Sequence, residues 1–281
     1  MLYRLIAAFL GITLTFPLFG QMGLRGRILC EKDSLPLAYV HVGVIGKSVG
    51  TITDEVGFFQ LAVQDLQWQD TLRVSMLGYA NFDWLVPQRM PSDTVDFYLS
   101  TTSYLLPEIT FYPEGEKIQL GARRRSLTQQ VWGAGGVASG EELGRLFRLD
   151  DGPVRLDTFR FHLRRNNSDS MLFRLNLYAV KDQWPDQPLL NKDIRFLVRK
   201  GDNEAEDGWI TVDLTAEDLV VEDDFIATIE LLRNWVGYGY SPIFVSFNRG
   251  REPALIRQSS QAPWKKEKPR RPFAFIFEGI R

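Results

Sequence analysis

The chain has 281 residues, of which 44% are hydrophobic, so it is long enough for one large or two ordinary domains with buried cores. Lys and Arg number 33 and Asp and Glu number 35, which gives a formal net charge of −2. A charge this small excludes a strong field that would attract nucleic acid or an anionic membrane. We therefore expect no nucleic-acid partner.

The first twenty residues differ from the rest of the chain. Arg4 precedes the apolar run LIAAFLGITLTFPLF, which has the length of a signal-peptide core and is shorter than the roughly 20 residues of a membrane-spanning helix. Pro17 and Gly20 suit a cleavage site before Gln21. We interpret residues 1–20 as an export signal, with a membrane anchor as the alternative, and expect no transmembrane segment in the mature chain.

Alternation with a period of two dominates from Leu24 onward and predicts strands. The segment YVHVGV (39–44) places three valines on one face, and TLRVSM (71–76) alternates in the same way. His41 falls opposite the valines, where we expect it to face solvent. Cys30, the only cysteine, continues the alternation of the first strand and is expected to be a buried thiol, so no internal disulfide can form.

The segment GTITDEVGFF (50–59) places two acidic residues between threonines and a glycine. We interpret it as a hairpin turn rather than a catalytic or metal-binding loop. Asp54 can open the turn by accepting hydrogen bonds from the backbone ahead, and Gly57 supplies a positive φ. Thr53 is expected to point outward and Glu55 to lie at the exposed tip.

Between residues 102 and 147 the periodicity weakens, and glycine and charge become frequent. We predict a partly ordered linker here, in which Arg123, Arg124 and Arg125 are solvated. Alternation then resumes in the segments FRFHL, LFRLNLYA, GWITVDL, FIATIELL, IFVSF and FAFIF. The predicted fold is therefore all-β, with one β-sandwich at residues 21–101 and a second, jelly-roll-like β-sandwich at residues 148–281.

The first block carries GRILCEKDSLPLAYVHV, GTITDEVGFFQL and SMLGY in this order. Together these segments resemble the carboxypeptidase regulatory-like domain over about residues 23–100. The resemblance implies a seven-stranded sandwich of prealbumin-like topology that is not catalytic and that accompanies enzymes, surface proteins and outer-membrane receptors. It also implies an envelope location, in the periplasm or associated with the outer membrane. The second block is similar to sandwich modules of uncharacterised exported bacterial proteins, which implies no established activity.

Catalytic and metal-binding patterns are weak in this sequence. A zinc carboxypeptidase needs His-x-x-Glu and a second histidine, and neither His41 nor His162 begins that motif. Both histidines are expected on polar strand faces. The acidic loop GDNEAEDG (201–208) departs from the spacing of a calcium-binding EF-hand. We therefore expect no enzyme, no metal and no cofactor.

One enzymatic alternative remains open, a glycan- or peptidoglycan-acting hydrolase with its site in the second sandwich. Asp213 and Glu230, on strands predicted to be neighbours, are its candidate carboxylates. The alternation around Asp213 places it on a polar face, where a charged residue is ordinary, and this argues against the alternative.

Five aromatic residues fall outside the strand alternation and are the predicted binding residues. They are Trp184, Trp235, Tyr238, Tyr240 and Trp264. Loop aromatics at one end of a sandwich can form a stacking platform for sugars or a socket for a protein, although they can also close the end of a core. We predict a non-catalytic exported envelope protein that binds a protein partner or a glycan.

Overall fold

The computed structural model describes residues 23–62, 66–91, 94–102, 115–121, 125–132, 140–150, 152–205, 207–236, 243–267 and 270–281. Nearly all of the regular structure in these residues is β-strand, and it forms two sandwiches that each enclose an apolar core. The predicted all-β fold with two sandwiches is confirmed. The predicted export signal lies outside the described residues.

The described residues of the first sandwich form seven strands. They are β1 (Gly23–Cys30), β2 (His41–Val44), β3 (Gly50–Ile52), β4 (Phe58–Ala62), β5 (Thr71–Ser75), β6 (Phe82–Leu85) and β7 (Val95–Leu99). They form a three-stranded sheet in the order β4-β1-β7 and a four-stranded sheet in the order β3-β2-β5-β6. Neighbouring strands are antiparallel except β1 and β7, which pair in parallel.

The core of the first sandwich follows the alternation seen in the sequence. Val42, Leu72 and Val74 have no exposed surface, and Cys30 is buried, as predicted. The Phe97 ring packs against the Phe82 ring at a centroid distance of 5.3 Å, which joins the two sheets. Apolar burial, with no disulfide, therefore stabilises this domain.

The second sandwich contains the remaining strands. They are β8 (Lys117–Leu120), β9 (Arg125–Trp132), β10 (Glu142–Phe147), β11 (Val154–Arg165), β12 (Ser170–Lys181), β13 (Trp184–Pro188), β14 (Ile194–Arg199), β15 (Trp209–Asp213), β16 (Leu219–Val221), β17 (Phe225–Trp235), β18 (Ile243–Asn248), β19 (Ala254–Arg257), β20 (Lys265–Glu267) and β21 (Phe275–Ile280). A one-turn helix α1 (Asp202–Ala205) and a 3-10 helix (Thr215–Glu217) connect strands.

These strands form two sheets of seven. In one sheet the order is β13-β12-β17-β10-β19-β20, with β14 also paired to β12; we call it the ladder sheet. In the other the order is β8-β21-β11-β18-β9, with β15 and β16 also paired to β11. Phenylalanines fill the space between the sheets: the rings of Phe147 and Phe225 in the ladder sheet lie 5.1 Å and 5.5 Å from Phe277 in the other. The two sheets therefore pack face to face around one core.

The predicted linker over residues 102–147 is wrong wherever the structure describes it as strand. The strands β8 and β21 pair, β9 pairs with β18, and β10 lies in the middle of the ladder sheet between β17 and β19. Apolar alternation does not predict β10, because Glu142, Gly144 and Arg145 interrupt it. Five of the six residues of β10 are nevertheless buried. Arg123 and Arg124 lie outside the described residues, and Arg125 begins β9.

The hairpin between β3 and β4 has a tight turn. Asp54 Oδ1 accepts hydrogen bonds from the backbone of Val56 at 3.0 Å and Phe58 at 2.9 Å, and Gly57 has a φ of +73°. The prediction that Thr53 points outward is wrong. Thr53 is 1% exposed, its hydroxyl donates to Leu37 O at 2.7 Å, and it accepts from Val40 N at 2.9 Å. The threonine thus fixes the backbone of residues 37–40, which leads into β2.

Gly57 and Gly46 allow a matched test of this turn, because both have a positive φ, +73° and +77°. A Cβ at Gly57 would lie 2.8 Å from Ile28 O and 2.9 Å from Pro36, whereas a Cβ at Gly46 would meet nothing within 4 Å. We expect Gly46→Ala to cost about 1 kcal/mol from backbone strain alone and Gly57→Ala clearly more. Urea unfolding of the two variants measures this difference, and equal losses would contradict the turn packing.

Candidate functional site

A row of four charged side chains crosses the outer face of the ladder sheet. Arg174 on β12 lies opposite Glu230 on β17, Glu230 lies opposite Glu142 on β10, and Glu142 lies opposite Arg257 on β19. We call these four residues the charge ladder. Both carboxylates are fully buried, and the two guanidinium side chains are 8% and 14% exposed. The four strands thus place charges in the order positive, negative, negative, positive.

Each carboxylate of the charge ladder has an arginine partner. Arg174 Nη1 donates to Glu230 Oε2 at 3.1 Å, and Arg257 Nε donates to Glu142 Oε1 at 3.1 Å. Thr228 and Tyr178 donate their hydroxyls to Glu142 Oε2, at 2.6 Å and 3.1 Å. Buried charges require such partners, because an unpaired ion in the interior has a high desolvation cost.

The first sandwich completes this network across the domain interface. His41 Nε2 lies 2.6 Å from Glu230 Oε1, and Arg174 Nη2 donates to Tyr39 O at 3.0 Å. Asp193 accepts two hydrogen bonds from Arg174, at 2.7 Å and 3.2 Å. One buried guanidinium therefore binds a carboxylate of its own sheet, a carboxylate of a nearby loop and the backbone of the other domain.

The network shifts the pKa of Glu230 and of Tyr178. Burial alone would raise the pKa of Glu230, but the positive charge of His41, Arg174 and Arg257 outweighs burial and holds that pKa at about 2. The pKa of Tyr178 is raised, first by burial and then by the neighbouring Glu142 carboxylate. Glu230 is therefore an anion and Tyr178 a neutral phenol at neutral pH.

A cleft of about 340 Å³ opens beside the charge ladder, between the two sandwiches. Its wall from the first sandwich consists of His41, Ser75, Met76, Leu77, Tyr79 and Asn81. The second sandwich contributes Arg174, Asn176 and Tyr178 from β12, residues in the segment 187–193, and Arg257, Ser260 and Gln261. Glu142 and Glu230 lie beneath this wall, covered by the side chains above them. We call this space the interdomain cleft.

Trp184 and Trp264 lie together at the far end of the same sheet face. Both pack on a small apolar cluster formed by Leu146, Ile226 and Leu255. The Trp264 ring makes an edge contact with Tyr178, which lines the interdomain cleft, at a centroid distance of 6.0 Å. These tryptophans cover the outer face of the ladder sheet, so they do not close the end of the sandwich core.

Trp235 is not part of that group. It ends β17 nine residues after Ile226, which corresponds to about 30 Å along an extended strand. Its ring packs against Arg233, which forms an ion pair with Glu55 of the first sandwich. Glu55 lies at the exposed tip of its turn, as predicted, and its carboxylate also contacts the other domain. Tyr238 and Tyr240 lie outside the described residues. The structure therefore brings together two of the five predicted binding residues.

The prediction that the candidate carboxylates Asp213 and Glu230 lie on neighbouring strands is wrong. Asp213 ends β15, which pairs with β11 in the other sheet, whereas Glu230 is in the ladder sheet. Asp213 is exposed, and a hydrogen bond from the backbone of Thr215 lowers its pKa. A carboxyl group that stays ionised in this way is a poor general acid.

The histidines also differ from prediction. His41 does lie opposite the valines of β2, but the second sandwich covers that face, and only 17% of its side chain is exposed. His162 is 3% exposed, with Nδ1 2.9 Å from Ser246 Oγ and Nε2 3.0 Å from Asp207 O. In both cases the polar face of a strand is buried by another element, which alternation in the sequence does not reveal.

Most residues around the cleft were not recognised from the sequence. Arg174 and Asn176 alternate with the apolar residues of LFRLNLYA, which predicts no particular role for them, and Glu230 in FIATIELL is predicted only as a candidate catalytic carboxylate. A usable signal was present, because Glu230 is the single charged residue in the otherwise nearly apolar segment FIATIELL, the first eight residues of β17. Such a residue indicates a buried polar contact more often than a solvated face.

In the described part of the chain, no group of three or more His, Cys, Asp or Glu side chains is placed to hold a metal ion. The same residues contain no helix that is long and apolar enough to cross a membrane.

The first sandwich is therefore a small β-domain docked on a larger sandwich. Residues 24–110 match the CarboxypepD_reg-like domain, which confirms the resemblance seen in the sequence. The matched residues lie outside the second sandwich, and no curated protein matches the chain.

Among solved structures, similarity is found to BcpA, the major pilin subunit of Bacillus cereus, and to a variant of that pilin. Each is 10% identical over 89% of this chain and 68% of the pilin chain, with a TM-score of 0.19. A TM-score this low does not define a shared arrangement of domains.

The low pKa of Glu230 predicts an acid-sensitive stability. Because its pKa is about 2 in the folded state and near 4.5 when unperturbed, the Glu230 anion stabilises the fold above about pH 4.5, and this contribution is lost as the pH falls towards 2. We expect Glu230→Gln to be less stable at pH 7, by on the order of 3 kcal/mol, with a gap to the wild type that narrows below pH 4.5. Urea unfolding at pH 7, 4.5 and 3 measures the gap.

The control for this experiment is Glu267→Gln, which removes an exposed carboxylate on β20. Its stability should follow that of the wild type at each pH. A gap between Glu230→Gln and the wild type that stays constant from pH 7 to 3 would contradict the ion-pair network.

Proposed function

We propose that this protein is a non-catalytic, exported binding protein of the bacterial envelope that holds its ligand in the interdomain cleft. The observation that carries the proposal is the composition of the cleft. Polar side chains from both sandwiches line it, while the strong charges beneath it are already paired with one another. Clefts of a few hundred Å³ at domain interfaces are the usual place for a ligand site.

The contacts between the sandwiches favour a preformed site. Gly46 N donates to Gln261 O at 2.9 Å, and Gln261 Nε2 donates to Ser75 Oγ at 3.4 Å, so both walls of the cleft are joined by hydrogen bonds. Tyr39 and Ile52 of the first sandwich pack with Leu232 of the second in a shared apolar cluster. A site held in this way requires little ordering when a ligand binds.

The hydrolase alternative is weaker on physical grounds. A glycosidase needs two carboxyl groups that flank the substrate, one of which keeps a raised pKa so that it can donate a proton. Glu142 and Glu230 lie side by side in one sheet, both fully buried, and the pKa of Glu230 is lowered. These carboxylates support the walls of the cleft but do not reach into it.

An envelope location is part of the same proposal. It is supported by the predicted export signal at residues 1–20 and by the CarboxypepD_reg-like domain at residues 24–110. In this arrangement the first sandwich serves as a spacer and as one wall of the site. Fractionation of cells that express a tagged copy should place the protein in the periplasm or the outer membrane, and recovery from the cytoplasm would contradict the proposal.

Filling the cleft should abolish binding. Asn81 is an exposed residue of the first sandwich at the cleft, so Asn81→Trp should occupy part of its volume. We expect a thermal-shift screen with peptides, glycans and peptidoglycan fragments to yield a ligand that stabilises the wild type and no longer stabilises Asn81→Trp. The matched control is Gln258→Trp, which places the same side chain at an exposed position next to Arg257 but outside the cleft lining.

The same screen tests for catalysis. Products released from any of these ligands by the wild type, and not by folded Glu142→Gln or Glu230→Gln, would replace the binding proposal with the hydrolase.

A further inference from the structure

We infer that the ligand of the interdomain cleft is a neutral oligosaccharide, bound through its hydroxyl groups and through one apolar sugar face. The inference rests on the proposed function, since it assigns a chemical class to the ligand of the same cleft. Four features of the cleft lead to it: its charge balance, its hydrogen-bonding groups, the pairing of its strands and its aromatic wall.

Charges on the cleft wall are balanced by neighbours. Arg174 is paired with Glu230 and Asp193, Arg257 is paired with Glu142, and Lys192 Nζ lies 2.6 Å from Glu217 Oε2. Asp193, the carboxylate on the wall, forms ion pairs with Arg174 and with Arg195, whose Nε lies 3.3 Å from Asp193 Oδ2. A phosphate, sulfate or carboxylate ligand would have to compete with these partners, and so would a cation. The wall therefore favours a ligand without net charge.

The uncharged polar groups on the wall suit hydroxyls. Asn81, Asn176, Gln187 and Gln261 each carry an amide, which offers donors and an acceptor together, and Ser75 adds a hydroxyl. A sugar hydroxyl likewise donates and accepts, so it can satisfy both atoms of an amide. Groups of this kind come from both sandwiches, so a ligand between them would contact both domains.

Strand pairing argues against a peptide ligand. Extended peptides commonly bind by adding a strand to a free sheet edge. The central strands at this cleft have no such edge: β12 is paired with β17 on one side and with β13 and β14 on the other, and β5 is paired with β2 and β6. In the described structure β13, which brings Gln187 and Pro188 to the cleft, is paired only with β12, but Pro185 and Pro188 have no N–H to donate to an added strand. The cleft thus offers side chains to a ligand and no row of unpaired backbone groups.

The aromatic wall supplies the apolar contact that a sugar requires. Tyr178 lines the cleft. Its hydroxyl donates a hydrogen bond to Glu142 and accepts one from Arg257 Nη2 at 3.1 Å. These bonds fix the ring, and Trp264 packs against it. A pyranose has one face of C–H groups that can pack on such a ring, as other apolar groups do. Because the cleft is open and small, it accommodates a few sugar units, with the rest of a chain outside.

Isothermal titration calorimetry with the full mature chain tests the inference. The probes are three tetramers: a neutral hexose oligosaccharide, an oligosaccharide of uronic acids and an uncharged peptide. We expect the neutral oligosaccharide to bind. Its Kd should change by less than about twofold between roughly 50 and 500 mM salt, because salt in this range screens charge–charge attraction and an uncharged ligand does not depend on it. We expect Asn81→Leu and Gln187→Leu to weaken binding at least tenfold and Gln258→Leu to leave it unchanged.

The outcomes separate the inference from the proposed function. If the uronic acid or the peptide binds more tightly, and Asn81→Leu weakens that binding, the cleft is a ligand site but the ligand class is wrong. If the neutral oligosaccharide binds equally well to the wild type and to both cleft variants, the assignment of the cleft is wrong. If the oligosaccharide is cleaved, the binding function is wrong while the ligand class stands. If none of the three probes binds, the inferred ligand class is overturned, and the screen with Asn81→Trp decides the binding function.

Discussion

The guanidinium of Arg174 is the contact on which the arrangement of the two domains depends. It is buried where the ladder sheet meets the first sandwich, and it satisfies Glu230, Asp193 and the carbonyl of Tyr39 at once. Tyr39 has a φ of +59°, a conformation that non-glycine residues seldom adopt. The hydrogen bonds from Arg174 to its carbonyl and from its own amide to Thr53 O help to hold this strained residue. The domain interface is therefore specified by directional polar contacts as well as by apolar burial.

The charge ladder also helps to determine the register in which the strands pair. Alternation alone tolerates a slip of two residues, because such a slip leaves every side chain on its original face. In the ladder sheet, a two-residue slip of β10 would bring Gly144 opposite Glu230 in place of Glu142 and would separate Glu142 from Arg257. Leaving a buried carboxylate without its partner is costly, so the ladder discriminates between registers that the apolar core treats alike.

Sequence reasoning succeeded where burial follows local periodicity. It identified the valines of β2, the phenylalanines of β11 and β21, and the turn formed by Asp54 and Gly57, because each depends on residues close in the chain. It failed for β10, His41 and His162, whose environments depend on distant elements. His41 shows the reason most clearly: its alternation was read correctly, but the face opposite a core becomes interior when a second domain docks on it. The cleft was missed for the same reason, since residues from both domains form it.

The position of β21 has a consequence for how the second sandwich folds. This strand, Phe275–Ile280, lies between β11 and β8, and Ile280 pairs with Lys117, which is 163 positions earlier (280 − 117). Contacts over such separations are slow to form, because a long stretch of chain must be ordered before they are made. Until β21 arrives, β8 lacks the neighbour to which it pairs and one edge of β11 is open. A second sandwich without β21 thus exposes strand edges that can pair with other chains, so aggregation competes with the docking of β21.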